Sequence, residues 1–110
     1  MQSTQKGKSM FRRDLFLLVT VVCLSGSALA DQALATTKNC MACHAIDKKL
    51  VGPAYKEISK KYAGQIDAVD KLANKITKGG SGAWGVIPMP ANPQVNEVDA
   101  KKLAGWVMSL

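Results

Sequence analysis

Cys40-Met41-Ala42-Cys43-His44 holds the residues of this chain best suited to chemistry. Two thiols three positions apart, followed at once by an imidazole, form the attachment pattern of a c-type haem. The spacing has a chemical reason. One turn of helix sets both sulfurs along one edge of a porphyrin, where each can add to a vinyl group as a thioether. The next residue then brings a ring nitrogen to the iron. Two other chemistries use the same residue types. A Cys-x-x-Cys pair can exchange thiol for disulfide, and it can make half of a zinc site. The rest of the chain decides among the three.

Residues 1–30 read as an export signal. Lys6, Lys8, Arg12 and Arg13 make a basic start, and Leu15 to Leu24 is an apolar run. Ser27-Ala28-Leu29-Ala30 presents small residues before a cleavage point, so the mature domain is expected to cover 31–110. The apolar run is too short to span a bilayer, which takes about 20 such residues. Met10 is an alternative start to Met1. Cys23 lies inside the signal, which leaves Cys40 and Cys43 as the only mature cysteines and His44 as the only histidine. Zinc needs four ligands, and the mature chain cannot supply them. A thiol–disulfide enzyme normally carries its pair at the start of a helix after a strand, and no strand pattern precedes Cys40.

At 110 residues the chain holds one small domain. Its formal charge is +7. The export segment sets four basic residues against Asp14 alone. The mature part has eleven lysines, no arginine and seven acids. A modest all-lysine excess suits docking to acidic partners and matches nucleic-acid binding poorly, since arginine and interleaved aromatics are missing. Lys38, Lys48 and Lys49, beside the attachment motif, are the expected docking lysines.

The elements that must position the motif are helical. Residues 31–44 suit a short helix with the motif at its C-terminal end, and Lys48-Lys49 make an exposed turn. Pro53 can open a helix over 53–63, with Tyr55, Ile58 and Tyr62 on one face and Gly64 ending it. Asp67 is expected to cap a helix bearing Val69, Leu72, Ala73 and Ile76, stopped by Gly79-Gly80. Asn96 opens the last helix, with Asp99 as its capping partner, and Leu103, Trp106, Val107 and Leu110 form its buried face. The pattern predicts an all-α fold of about four short helices with no strand of note. Residues 79–93, GGSGAWGVIPMPANP, are too rich in Gly and Pro for helix. They carry Trp84, Val86, Ile87 and Met89, which a solvated linker does not need, and so read as a stiffened wall packed against something.

An 80-residue mature domain is marginal alone, and a covalent haem supplies an apolar centre for short helices. The sixth iron ligand follows by elimination, because no second histidine exists. Met41 sits in the attachment loop on the His44 side, and Met108 belongs to the last helix. Met89 stands in a non-helical segment between Pro88 and Pro90, both of which fix φ. Met89 is the expected ligand.

The segments CMACHAID, VGPAYK, AWGVIPMPANP and LAGWVMSL together resemble the small class I cytochromes c, specifically the cytochrome c-551 (c8) family of bacterial periplasmic electron carriers. The resemblance covers essentially all of 31–110. It implies thioethers at Cys40 and Cys43 and axial ligation by His44 and Met89. It also implies that the Pro53 carbonyl accepts the His44 ring N–H, that Trp84 donates its indole N–H to a haem propionate, and that Asn92 lies near the Met89 sulfur. Lys75 departs from the family, standing where an Arg or His near a propionate is usual. The implied function is a monomeric one-electron carrier, not an enzyme. Its implied donor is a membrane quinol-oxidising cytochrome complex, and its implied acceptor a nitrite reductase or terminal oxidase. The alternative is a ligand-binding or peroxidatic haem protein with an open sixth site.

Overall fold

The computed structural model describes residues 26–110, so the basic and apolar parts of the expected export signal lie outside the described residues. Four α-helices make most of the structure: α1 (Gly26–Thr37), α2 (Tyr55–Tyr62), α3 (Ala68–Lys78) and α4 (Glu97–Met108). None of them is long and apolar enough to cross a membrane.

The helices start and stop for identifiable reasons. Asn96 caps α4 by accepting the Asp99 backbone N–H at 2.8 Å, the expected pair. Gly79 ends α3 with φ 69°, which glycine adopts without strain. A Cβ there would also collide with the Met89 carbonyl. Asp67 stands at the start of α3 as expected, but its side chain caps nothing. It pairs instead with Lys71 at 3.3 Å. Ala54 is the residue before α2, which sets Pro53 just outside the helix rather than at its first position. The motif is not on a long helix either. α1 stops at Thr37, Asn39 takes a left-handed conformation with φ 66°, and Cys40–Ala42 form a separate 3₁₀ turn. Thr36 and Thr37 turn their hydroxyls back onto the carbonyls of Gln32 and Ala33, a competition with the helix that suits its end.

α4 is the hub, packing on α1, α2 and α3. Ala35 on α1 and Ala100 and Ala104 on α4 are wholly buried, and side chains of that size let helix backbones approach closely. Leu103, Trp106 and Val107 complete the buried face of α4, joined by Tyr55, Ile58, Leu72 and Ala73. Leu110, expected on that face, lies past the helix end and is exposed.

A short antiparallel hairpin follows α3: β1 (Gly80–Gly82) pairs with β2 (Gly85–Met89), Gly80 opposite Met89 and Gly82 opposite Gly85. It corrects the expectation of no strand. A Gly-Ser-Gly strand carries no alternating apolar pattern, and Gly80, Gly82 and the first residue of β2, Gly85, all have positive φ, so the pairing leaves no trace in the sequence.

One property of the core stands out. Among the described residues no large side chain is completely buried. The apolar faces of α2, α3 and α4 meet, yet each keeps surface turned toward a common space.

Candidate functional site

That space is a cavity of about 340 Å³. Tyr55, Ile58, Leu72, Leu103, Trp106 and Val107 belong both to the core and to its lining. The attachment segment contributes Cys40, Cys43 and His44, and the hairpin contributes Trp84, Ile87, Pro88 and Met89.

The 3₁₀ turn sets the two cysteines. The N–H groups of Cys43 and His44 both donate to the Cys40 carbonyl, at 3.2 and 3.1 Å. Both thiols are half-buried and unbridged. Burial pushes the Cys40 thiol above its usual range, which keeps it protonated near neutral pH. Met41, between them, packs against the core.

After the motif the chain folds back on itself. Gly52 N–H donates to the Cys43 carbonyl at 2.8 Å, and Tyr55 N–H to the Ala45 carbonyl at 2.9 Å. This return brings the Pro53 carbonyl to 2.7 Å from His44 Nδ1. A carbonyl can only accept, so Nδ1 carries the proton and Nε2 keeps its lone pair. Tyr55 stacks on the imidazole with centroids 5.0 Å apart and planes 20° apart, and it meets Trp106 edge-on at 5.2 Å. Gly52 presses on the ring from another side: a Cβ there would come within 2.9 Å of Nδ1. His44 is buried and fixed in tautomer and orientation. Burial raises the Tyr55 phenol far above its ordinary value, with Cys40 and Cys43 adding to the effect, so it stays neutral. Gly52 and Tyr55 are site residues that the sequence reading passed over. The one available signal was their place beside Pro53.

Met89 closes β2 and is partly buried on the cavity lining. Met41 and Met108 do not line it; Met108 packs against the core, and its carbonyl accepts from Ser59. Lys75 lines the cavity near Gly80. Trp84 stands at its margin, exposed over 44% of its surface, with Lys61 Nζ 4.9 Å from its ring centroid. Lys61 also donates to the Ala83 carbonyl at 3.1 Å. Asn92 is the sequence-singled residue that does not line the cavity. Its amide donates to the carbonyls of Ile76 at 2.8 Å and Pro90 at 3.2 Å. Both of its hydrogens are thereby committed to backbone, and it holds the loop after Met89 to α3. Lys38, expected at a docking rim, has a side chain only 24% exposed and donates to the Gln94 carbonyl. Lys48 and Lys49 are exposed as expected.

The residues fit a flat apolar macrocycle. Two thiols, an imidazole with a free Nε2 and a thioether share one apolar cavity, and the core around it lacks a filled centre.

Comparison with known proteins agrees in extent and kind. Residues 29–110 match the family model described as Cytochrome c. Cytochrome c-552 of Hydrogenobacter thermophilus is 57% identical over 96 residues, which is 86% of this chain and 96% of that protein. Cytochrome c-551 of Azotobacter vinelandii is 59% identical over 78 residues, 71% of this chain and 94% of that protein. The crystal structure of Nitrosomonas europaea cytochrome c552 superposes with a TM-score of 0.70 at 52% identity, covering 72% of this chain and 98% of that one.

Proposed function

The chain belongs to the cytochrome c family, an electron-transfer family with covalently attached haem c, and on that premise we propose that it is a periplasmic one-electron carrier with His44 and Met89 as axial ligands. When bound, the haem supplies an Fe(III)/Fe(II) couple. The protein's own residues do the rest. Cys40 and Cys43 anchor the group from the 3₁₀ turn, and His44 presents Nε2 because Pro53 occupies Nδ1. Tyr55, Trp106 and Leu103 exclude water from the cavity. Lys75 and Trp84 both line the cavity, which supports contacts from them to the haem propionates. Residues 1–30 direct export and are removed after Ala30. The donor is a membrane quinol-oxidising cytochrome complex, and the acceptor a nitrite reductase or terminal oxidase.

One observation carries the ligand assignment: of Met41, Met89 and Met108, Met89 alone lines the cavity that holds His44. With both axial positions filled by protein, no site is left for substrate, which makes a carrier rather than a catalyst. Replacing Met89 with Ala tests this. Haem attachment should survive, the far-red thioether-to-ferric band should vanish, and the potential should fall because ferrous iron favours the soft sulfur. The ferrous protein should then bind CO at once. Rapid CO binding by the unaltered protein would favour an open sixth site instead.

A further inference from the structure

Lys38 and Gln94 exchange two hydrogen bonds. Lys38 Nζ donates to the Gln94 carbonyl at 3.1 Å, and Gln94 Nε2 donates to the Lys38 carbonyl at 3.4 Å. Neither residue touches the cavity. Gln94 Nε2 also donates to Asn92 Oδ1 at 3.2 Å, and Asn92 in turn holds the carbonyls of Pro90 and Ile76. On the other side, Lys38 lies 3.8 Å from Asp99 in the first turn of α4. The chain of contacts therefore runs from a residue two positions before Cys40 to the residue directly after Met89.

We propose that Lys38 and Gln94 form a strap that positions Met89 against the haem-attachment segment and so governs how firmly the thioether stays on the iron. The inference rests on Met89 being the axial ligand. The hairpin explains why a strap is needed. Among the described residues, Met89 ends a strand paired with the exposed, glycine-rich β1 alone, so that pairing restrains it little. Beyond Met89 the loop is tied to α3 by Asn92 N–H to the Thr77 carbonyl at 3.3 Å, and by the Asn92 amide. Those bonds fix the loop to α3, not to the segment carrying Cys40, Cys43 and His44. The reciprocal Lys38–Gln94 pair is what joins the two sides of the site. A loop held at both ends loses less freedom when its sulfur binds, so the bound state is favoured over any displaced one. Lys38 and Gln94 are positioning residues, since both act through the Pro90–Asn92 segment.

Exogenous imidazole competes with the thioether for ferric iron, so its affinity reads the ease of Met89 release. In the purified holoprotein, Gln94→Leu keeps the side-chain volume but removes the amide donor. It should raise imidazole affinity about fivefold, the scale of one net hydrogen bond, and weaken the far-red band with the haem still attached. Lys38→Leu cuts the reciprocal bond from the other side and should shift affinity the same way. Val69→Ala, a partly buried residue of α3 away from the cavity, lowers stability without touching the strap and should leave imidazole affinity unchanged. Unaltered affinity in both strap variants overturns the inference, as does an equal rise in Val69→Ala. A far-red band missing from the unaltered protein would instead overturn the Met89 ligation on which the strap depends.

Discussion

His44 is held from three directions, and each contact restricts a different freedom. The Pro53 carbonyl at 2.7 Å selects the tautomer, Tyr55 sets the ring plane, and the missing side chain at Gly52 leaves the room in which the ring sits. Gly52→Ala should therefore act as an overpacking change costing about 1–3 kcal/mol. Because the atoms displaced belong to the imidazole, thermal unfolding should shift together with the visible spectrum and the potential. Stability loss with an unmoved potential would show that the ring is not what yields. The residues of the site differ in how far sequence reveals them. Cys40, Cys43 and His44 carry their chemistry in their spacing, and Met89 is singled out by two flanking prolines. Lys38 and Asn92 are different. An ammonium or an amide has many acceptors within reach, and its partner is settled by folding: for Lys38 it is a carbonyl 56 positions away.

Elements divide along the same line. α2, α3 and α4 are legible because apolar residues recur at helical spacing and Gly79 and Asn96 mark ends. The hairpin is not, since its register depends on glycine backbones that write no pattern. The end of α1 at Thr37 is hard to read for a related reason: Asn39 turns left-handed where nothing in its neighbours demands it. Capping offers a test at this scale. Asn96→Ala removes the acceptor for the Asp99 N–H and should cost about 1 kcal/mol. In a domain of this size that lowers the unfolding midpoint by about 4–8 °C, measured by circular dichroism. Asp67→Ala, where no side-chain cap bond is made, should change the midpoint far less. Trp106→Ala should be the costliest single change in α4, about 3–5 kcal/mol, as it removes both core packing and the edge-on support of Tyr55.

Across the whole molecule, charge governs meeting and apolar surface governs integrity. Lys48 and Lys49 stay free in solvent, whereas Lys38 is engaged within the fold. Electron transfer to an acidic partner should slow as salt brings the Debye length below about 10 Å. Substituting Lys48 and Lys49 with Ala should flatten that dependence in stopped-flow measurements; an unchanged slope would move the docking face elsewhere. The hairpin raises a separate matter, the vulnerability of the chain before its cofactor arrives. Val86 and Ile87 are exposed over 92% and 61% of their surface, and the neighbouring Trp84 offers a chymotryptic cleavage point on a segment with little of its own to hold it. A chain with empty thiols presents that segment to any protease it meets, and attachment of the haem would give the inner side of the hairpin something to rest on. Cleavage after Trp84 should be fast in the Cys40→Ala, Cys43→Ala double variant and slow in the haem-bearing protein. On that outcome the attachment step would double as a quality filter, with molecules that miss their cofactor cut at the hairpin.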